Sequence, residues 1–363
     1  MSCRLPSTAS IASCSAVISQ PVRFRRCVAA NAGMKGMKII GVGSCAPSTV
    51  LSNDDLAKLV DTNDEWISSR TGIQRRHVLD KEETLSSLAQ QASERALEMA
   101  GIKADELDLI LLATSSPDDL FGGAGQLQAL IGAKNAVGFD ITAACSGFVL
   151  ALVTASQFIR AGTSKRVLVV GADALSRFVD WRDRSTCILF GDGSGAVVLT
   201  ATDEPCSLLG LDMHSDGNGQ KSLNCMFQGE GKKAMQENGA SSAAGAYNNI
   251  HMAGQEVYKF AVRSVPQVIE NALSNAGLQK EDVDWLVMHQ ANKRIMDAAA
   301  ERLGLSSEQV VSNLSEYGNT SAASIPLALD GAVRDGSIKK GDVIAMAGFG
   351  AGLTWASVIV KWG

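Results

Sequence analysis

Three residues in this chain carry side chains and settings suited to chemistry at a carbonyl carbon: Cys145, His289 and Asn319. Cys145 lies in Asp140-Ile-Thr-Ala-Ala-Cys145-Ser-Gly-Phe148, where a short apolar lead-in delivers a cysteine to a long apolar segment. The spacing predicts a helix over Gly147 to Ile159, buried on most sides and ended by Gly162. A helix running away from the cysteine leaves its free N–H groups and positive dipole end at the sulfur, which favours thiolate, the form that attacks carbonyls. His289 sits in Met288-His-Gln-Ala-Asn292, where polar groups directly follow an apolar strand and no packing need explains them. Each residue also has a bland alternative: a small buried cysteine, a core histidine, an asparagine capping a helix.

The elements that must position these residues emerge from an internal duplication. Glu94-Arg-Ala-Leu-Glu-Met-Ala-Gly101 matches Glu270-Asn-Ala-Leu-Ser-Asn-Ala-Gly277 at a shift of 176, with five of eight residues identical. Each copy reads as an amphipathic helix ended by glycine, an acidic turn, and a buried apolar strand of the parallel-sheet type. Arg160-Ala-Gly162 echoes Arg334-Asp-Gly336 at a shift of 174, and the glycine turns Phe190-Gly-Asp-Gly and Phe349-Gly-Ala-Gly also correspond. This period is too long for a solenoid. It predicts two related α/β halves, 37–205 and 206–363, around a pseudo-twofold axis. At the shift of 174 Cys145 corresponds to Asn319, so the two are expected to start equivalent helices, with His289 ending a strand. Active sites of open α/β sheets gather at such corners, and the three can therefore meet near the axis.

Composition sets the outer bounds. With 46% hydrophobic and 20% charged residues over 363 positions, the chain is globular and can bury a substantial core. No segment approaches the roughly 18 uninterrupted apolar residues of a membrane span. A net charge of −5 without a basic stripe argues against nucleic-acid binding. Arg4, Arg23, Arg25 and Arg26 sit among serines and alanines, and the first acidic residue is Asp54. That is the composition of an organellar transit peptide, expected over 1–36 with its linker and cleaved near residue 30. Serine content outweighing arginine periodicity favours a chloroplast address. Removing the four arginines moves the net charge from −5 to −9. Of the eight cysteines, Cys3, Cys14 and Cys27 lie in that leader. The remaining five, with no Cys-x-x-Cys pair and only four histidines, point away from a disulfide framework or a metal site.

Several segments together resemble the motifs of β-ketoacyl-acyl carrier protein synthase III, of the thiolase superfamily. They are Asp140 to Phe148, His289-Gln-Ala-Asn292, Gly318-Asn319-Thr-Ser-Ala-Ala-Ser-Ile-Pro326, Gly348-Phe-Gly-Ala-Gly-Leu-Thr-Trp355 and Asn63-Asp-Glu-Trp66-Ile-Ser-Ser-Arg70-Thr-Gly-Ile73. The resemblance spans essentially everything after residue 37. It implies an α/β thiolase-like fold with layers α-β-α-β-α. It also implies a decarboxylating condensation of acetyl-CoA with malonyl-acyl carrier protein, initiating type II fatty-acid synthesis. Asparagine rather than a second histidine or cysteine at the third catalytic position points to the initiating branch. The alternative is a related, polyketide-synthase-like condensing enzyme with another primer or extender, and a non-catalytic scaffold is a more distant one.

By this resemblance Cys145 carries the acyl group, while His289 and Asn319 donate to the enolate oxygen formed on decarboxylation. The backbone N–H groups of Cys145 and Ala351 form the oxyanion hole, with alanine standing where relatives often have glycine. Trp66 and Arg184 sandwich the adenine, Arg70 contacts phosphate, Asn292 holds the pantetheine, and Tyr258 replaces a phenylalanine beside the acyl tunnel. Lys259 and Arg294 form a basic rim for the acyl carrier protein, and Glu301 stands where bacterial relatives can have lysine. No metal and no resident cofactor are implied, acetyl-CoA being a substrate. The Asp118-Asp-Leu-Phe-Gly-Gly123 segment resembles a loop that reaches across a homodimer, with Leu120 or Phe121 as the crossing residue.

Overall fold

The computed structural model describes residues 35–232 and 242–363, so the expected transit peptide at 1–36 lies almost wholly outside the described residues. Two sheets carry the fold. The first orders its strands Gly36–Cys45, Asp192–Thr202, Arg166–Ala174, Leu109–Ala113 and Val137–Ile141. The second runs Leu208–Ser215, Thr354–Lys361, Val343–Gly350 and Trp285–Met288. The two orders correspond strand for strand, with the same parallel and antiparallel pairings. Only the outermost strand differs: Val137–Ile141 pairs fully with Leu109–Ala113, whereas Val310 makes a single bridge to Leu286.

Helices form three layers around these sheets. Leu85–Ala100 covers the outer face of the first sheet against Gly36–Cys45, and Gly254–Ala276 covers the second against Leu208–Ser215 and Thr354–Lys361. Between the sheets lie Gly147–Arg160 and Ser324–Arg334, which touch strands of both. Three apolar clusters match this layering, and the central one joins Phe148, Leu152, Ile325 and Leu329 with Val169 and Val358. The α-β-α-β-α arrangement expected from the resemblance is therefore the one observed. The central helices are apolar nearly all round because both of their faces are covered by sheet.

The entries to the central helices differ from the sequence expectation. Each central helix is entered through a short 3-10 turn, Ala144–Ser146 in the first half and Ser321–Ala323 in the second. Each turn begins with a non-glycine residue at positive φ, Ala144 at 47° and Ser321 at 50°. These backbone landmarks align at a shift of 177, which pairs Cys145 with Ala322 and Asn319 with Thr142. The shift of 174 holds only at the far ends, because Gly147–Arg160 has 14 residues and Ser324–Arg334 has 11. Asn319 thus sits three residues ahead of the nucleophile's equivalent and does not start the matching helix.

Candidate active site

Cys145 is 7% exposed and stands in the 3-10 turn just before the helix Gly147–Arg160, which Gly162 follows with φ of 75°. Its sulfur lies 3.4 Å from the Ser321 hydroxyl, across the junction of the two halves. It lines a cavity of about 550 Å³ whose walls include Thr142, Phe190, Leu223, Ser321 and Ala351. The glycine turn after Val343–Gly350 comes close on the other side: a Cβ on Gly350 would lie 2.9 Å from the Cys145 nitrogen and 3.3 Å from its sulfur. Glycine is needed there because backbone meets backbone.

The sulfur's electrostatics differ from the helix-end expectation. Burial pushes the Cys145 thiol up to about 12; the Ser321 hydroxyl opposes that rise and the negative charge of Asp173 adds to it. Loss of water at the sulfur outweighs the helix N-terminus, so the resting group is a thiol.

His289 is 2% exposed, and burial pulls its imidazole down to about 3, so it is neutral at physiological pH. Its Nδ1 lies 3.2 Å from the Ser324 hydroxyl, which is itself 3.2 Å from the Thr320 hydroxyl. A Ser324 O–H donating to Nδ1 leaves the imidazole proton on Nε2. Phe349 packs edge-on against the ring, with centroids 5.1 Å apart. Asn319 is held by its backbone, donating to Leu189 O at 2.9 Å and accepting from Gly191 N–H at 3.0 Å. Its Oδ1 accepts from Ser321 N–H at 3.0 Å, which turns the amide so that its NH2 is the donor left for another partner. The short run Asn319 to Ser324 therefore touches the sulfur through Ser321 and the imidazole through Ser324.

The nucleotide-binding residues of the sequence reading form a second cluster on the surface. The Arg184 guanidinium lies 4.8 Å and that of Arg70 4.9 Å from the Trp66 ring centroid. Arg184 also donates to Asp61 O at 2.7 Å. Trp66 and Arg184 are thus stacked directly on each other, leaving no room for a base between them. Asn292 caps the helix Lys293–Leu303 by accepting from Arg294 N–H and donates to Arg70 O at 3.2 Å. Lys259 is exposed and paired with Glu256 at 2.9 Å, and Arg294 is exposed with an Nη2 3.5 Å from Ser69 O. Tyr258 is not brought to the cavity: it is 40% exposed on the helix Gly254–Ala276 and is not among the lining residues. Phe260, two residues on, is the ring that turns inward, against Trp355 at 5.1 Å. Among the described residues no cluster of three or more side chains suits a metal ion, and no helix is long and apolar enough to cross a membrane.

Two family models match the chain, 3-oxoacyl-[acyl-carrier-protein] synthase III over residues 139–217 and its C-terminal region over 273–362. The chain is 59% identical over 325 residues to beta-ketoacyl-[acyl-carrier-protein] synthase III of Microcystis aeruginosa, covering 90% of this chain and 97% of that protein. The chain belongs to the 3-oxoacyl-[acyl-carrier-protein] synthase III family. Members of this family are condensing enzymes of the acyltransferase type, and this one carries out the initiating condensation of fatty-acid synthesis. The chloroplastic synthase III of Arabidopsis thaliana is 55% identical, with 90% of this chain and 83% of that one aligned. The crystal structure of the Aquifex aeolicus enzyme superposes with a TM-score of 0.82 at 45% identity, over 90% of this chain and 100% of that one. The fold is accordingly thiolase-like.

Sequence reasoning passed over Ser321, whose hydroxyl the geometry brings to the sulfur, and the fully buried Asp173, which accepts from the Ala322 N–H of the same turn. The signal for Asp173 was of the kind used for His289: a charged residue ending an apolar strand, Val167 to Ala172.

Proposed function

We propose that this synthase transfers the acetyl group of acetyl-CoA to the Cys145 sulfur and condenses it with malonyl-acyl carrier protein. The observation that carries this reading is the convergence of Cys145, His289 and Asn319 on the single run Asn319 to Ser324. Cys145 gives its proton to a base in the medium, its thiolate attacks the thioester carbon, the backbone N–H groups of Cys145 and Ala351 receive the developing oxyanion, and CoA leaves as a thiolate that takes a proton from the medium. Malonyl decarboxylation then places charge on the thioester oxygen, where His289 Nε2–H and the Asn319 NH2 donate. The enolate carbon attacks the acetyl thioester and frees Cys145. The enolate's charge is met by these N–H donors and the leaving carbon dioxide is neutral, so the proposed steps use neither a metal nor a resident cofactor.

Acetyl-CoA reaches the site with its adenine between Trp66 and Arg184, which requires Arg184 to swing off the indole it covers. Arg70 meets the phosphates and Asn292 the pantetheine. Lys259 and Arg294 form the rim for the acidic carrier protein, a steering role that weakens with salt. The halves divide near residue 205, between Asp192–Thr202 and Leu208–Ser215. The composition of residues 1–30 supports a plastid address, as does the chloroplastic naming of the Arabidopsis thaliana and Cuphea wrightii relatives.

Incubation with acetyl-CoA alone is expected to add one acetyl group to Cys145, detected by intact mass. His289→Ala and Asn319→Ala are expected to retain this adduct while losing malonyl decarboxylation by about 100-fold or more. Absence of the adduct in the unmodified enzyme, or equal loss of both half-reactions in the variants, contradicts this division of roles.

A further inference from the structure

Arg76, on the strand Arg75–Val78, has no exposed surface and is the largest fully buried side chain among the described residues. An arginine this deep is normally matched by a carboxylate. The partners of Arg76 are instead neutral oxygens: Nη2 donates to Asn53 Oδ1 and to Ile188 O, both at 2.8 Å, and Nη1 donates to Leu51 O at 3.1 Å. Its Nε has no partner. Burial pulls the guanidinium down to about 10, so it stays protonated at physiological pH. A cation held in the interior by neutral oxygens alone costs stability that an apolar side chain of similar volume would not cost.

What Arg76 holds is the strip that seats Asn319. Ile188 is followed by Leu189, whose carbonyl accepts from Asn319 N–H at 2.9 Å, and by Gly191, whose N–H donates to Asn319 O at 3.0 Å. These two bonds pair Phe190 with Asn319 as an isolated bridge. The stem of Arg76 lies against the same bridge. A Cβ on Gly191 would come within 3.2 Å of the Arg76 Cβ, and one on Gly318 within 3.4 Å. The other side of the guanidinium is anchored through Asn53, which is 1% exposed and donates from Nδ2 to Asp64 Oδ1 and to Ile73 O, each at 2.8 Å. Asp64 opens the helix Asp64–Thr71, which carries Trp66 and Arg70. One guanidinium thus ties the seat of Asn319 to the base of that helix.

We infer that Arg76 is a positioning residue for Asn319: its hold on Ile188 O and its stem against Gly191 and Gly318 fix the bridge that aims the Asn319 NH2 at the enolate oxygen. It touches no reacting atom. Without the guanidinium, Ile188 O and Leu51 O lose buried donors and the strip Ile188 to Gly191 is no longer pinned to the strand Arg75–Val78. The Asn319 amide then drifts, and a displacement of about 1 Å at an aligned group can cost about 100-fold in rate. Cys145 stands on another segment, in the turn after the strand Val137–Ile141, so acetyl transfer draws much less on this bridge.

The inference rests on Asn319 acting as the enolate donor, and the test separates the two. Arg76→Met, Asn319→Ala and the double variant are compared in the whole chain. Acetylation of Cys145 by acetyl-CoA is followed by intact mass, and decarboxylation by release of carbon dioxide from malonyl-acyl carrier protein. Arg76→Met is expected to lower decarboxylation by about 10-fold or more while forming the acetyl adduct to the parent's stoichiometry. In the Asn319→Ala background the same substitution is expected to change decarboxylation by less than about twofold, because the group it positions is gone. A purely structural role gives the same fractional loss in both half-reactions and in both backgrounds. Either of those results, or an unchanged decarboxylation rate in Arg76→Met, overturns the inference alone. Should Arg76→Met fail to fold, Arg76→Lys decides by the same comparison, since it keeps the buried charge but cannot span Asn53, Leu51 and Ile188 at once. Decarboxylation at the parent's rate in Asn319→Ala would instead overturn the proposed role of Asn319, and this inference with it.

Discussion

Cys145 and His289 are buried groups held in their neutral forms, and both bind protons differently in the folded and unfolded chain. Burial lowers His289 from its usual 6.5 to about 3. Between those values the unfolded chain takes up a proton that the folded one refuses, so stability present above about pH 6.5 is lost as the pH falls toward 3. Burial raises Cys145 from 9.0 to about 12. There the unfolded chain releases a proton that the folded one keeps, so stability present below pH 9 is lost as the pH rises toward 12. Thermal melts are therefore expected to show a plateau in Tm between these limits, with a flattened acid limb in His289→Gln and a flattened alkaline limb in Cys145→Ala. Identical limbs in the variants and the parent would show that neither group is desolvated as described. The same burial explains why a helix N-terminus does not by itself make Cys145 a thiolate. A dipole end contributes about 1 kcal/mol at most settings, whereas full loss of water moves a buried group by several pH units.

The turns that enter the two central helices depend on glycines in facing strands. A Cβ on Gly171 would lie 2.1 Å from the Ala322 carbonyl oxygen, and one on Gly348 would lie 2.9 Å from the Cys145 carbonyl oxygen. Each half thus presses a side-chain-free strand residue against the catalytic turn of the other. Gly171→Ala must displace the turn that holds Asn319 and Ser321, at a cost of about 1–3 kcal/mol in stability. Its decarboxylation step is expected to suffer more than acetyl transfer, because the displaced turn carries the enolate donor. Separate assays of the two half-reactions check this, and equal losses would count against the close approach. The pairing of Cys145 with Asn319 failed at this level for a simple reason. Self-comparison aligned the helix ends, where the shift is 174, while the three-residue difference in helix length moves the starts to 177.

For the molecule as a whole, the first sheet ends in a strand with an unpaired edge, Val137–Ile141, on which Val137 is 67% and Phe139 37% exposed. Leu120 and Phe121, in the loop resembling a dimer-crossing segment, are 81% and 96% exposed. An open edge with apolar side chains is a template for another chain, and proteins usually cover it. A second copy joined edge to edge would cover Val137 and Phe139. Sedimentation velocity is expected to show a dimer for the parent and a monomer for the Val137→Lys, Phe139→Glu double variant; a monomeric parent would refute the pairing. The second sheet has no such edge strand, since Val310 makes only an isolated bridge to Leu286 at the matching position.

Much of this architecture was legible in the chain's own pattern. Apolar strands, glycine-ended helices and the repeat at 176 residues follow from local periodicity and self-similarity, which need no tertiary information, and the motifs around Cys145, His289 and Asn319 pointed to the family. Contacts between residues far apart in the chain were not legible in the same way. The Ser321 hydroxyl at the sulfur, the carboxylate of Asp173 spanning both halves and the Arg184 guanidinium lying on Trp66 each join segments more than 100 residues apart. Tyr258 and Phe260 could not be told apart as inward and outward rings until the helix was set on its sheet. Periodicity fixes which face of an element is apolar. Which polar groups meet across a buried junction, and which lose their water there, depends on how the two halves dock.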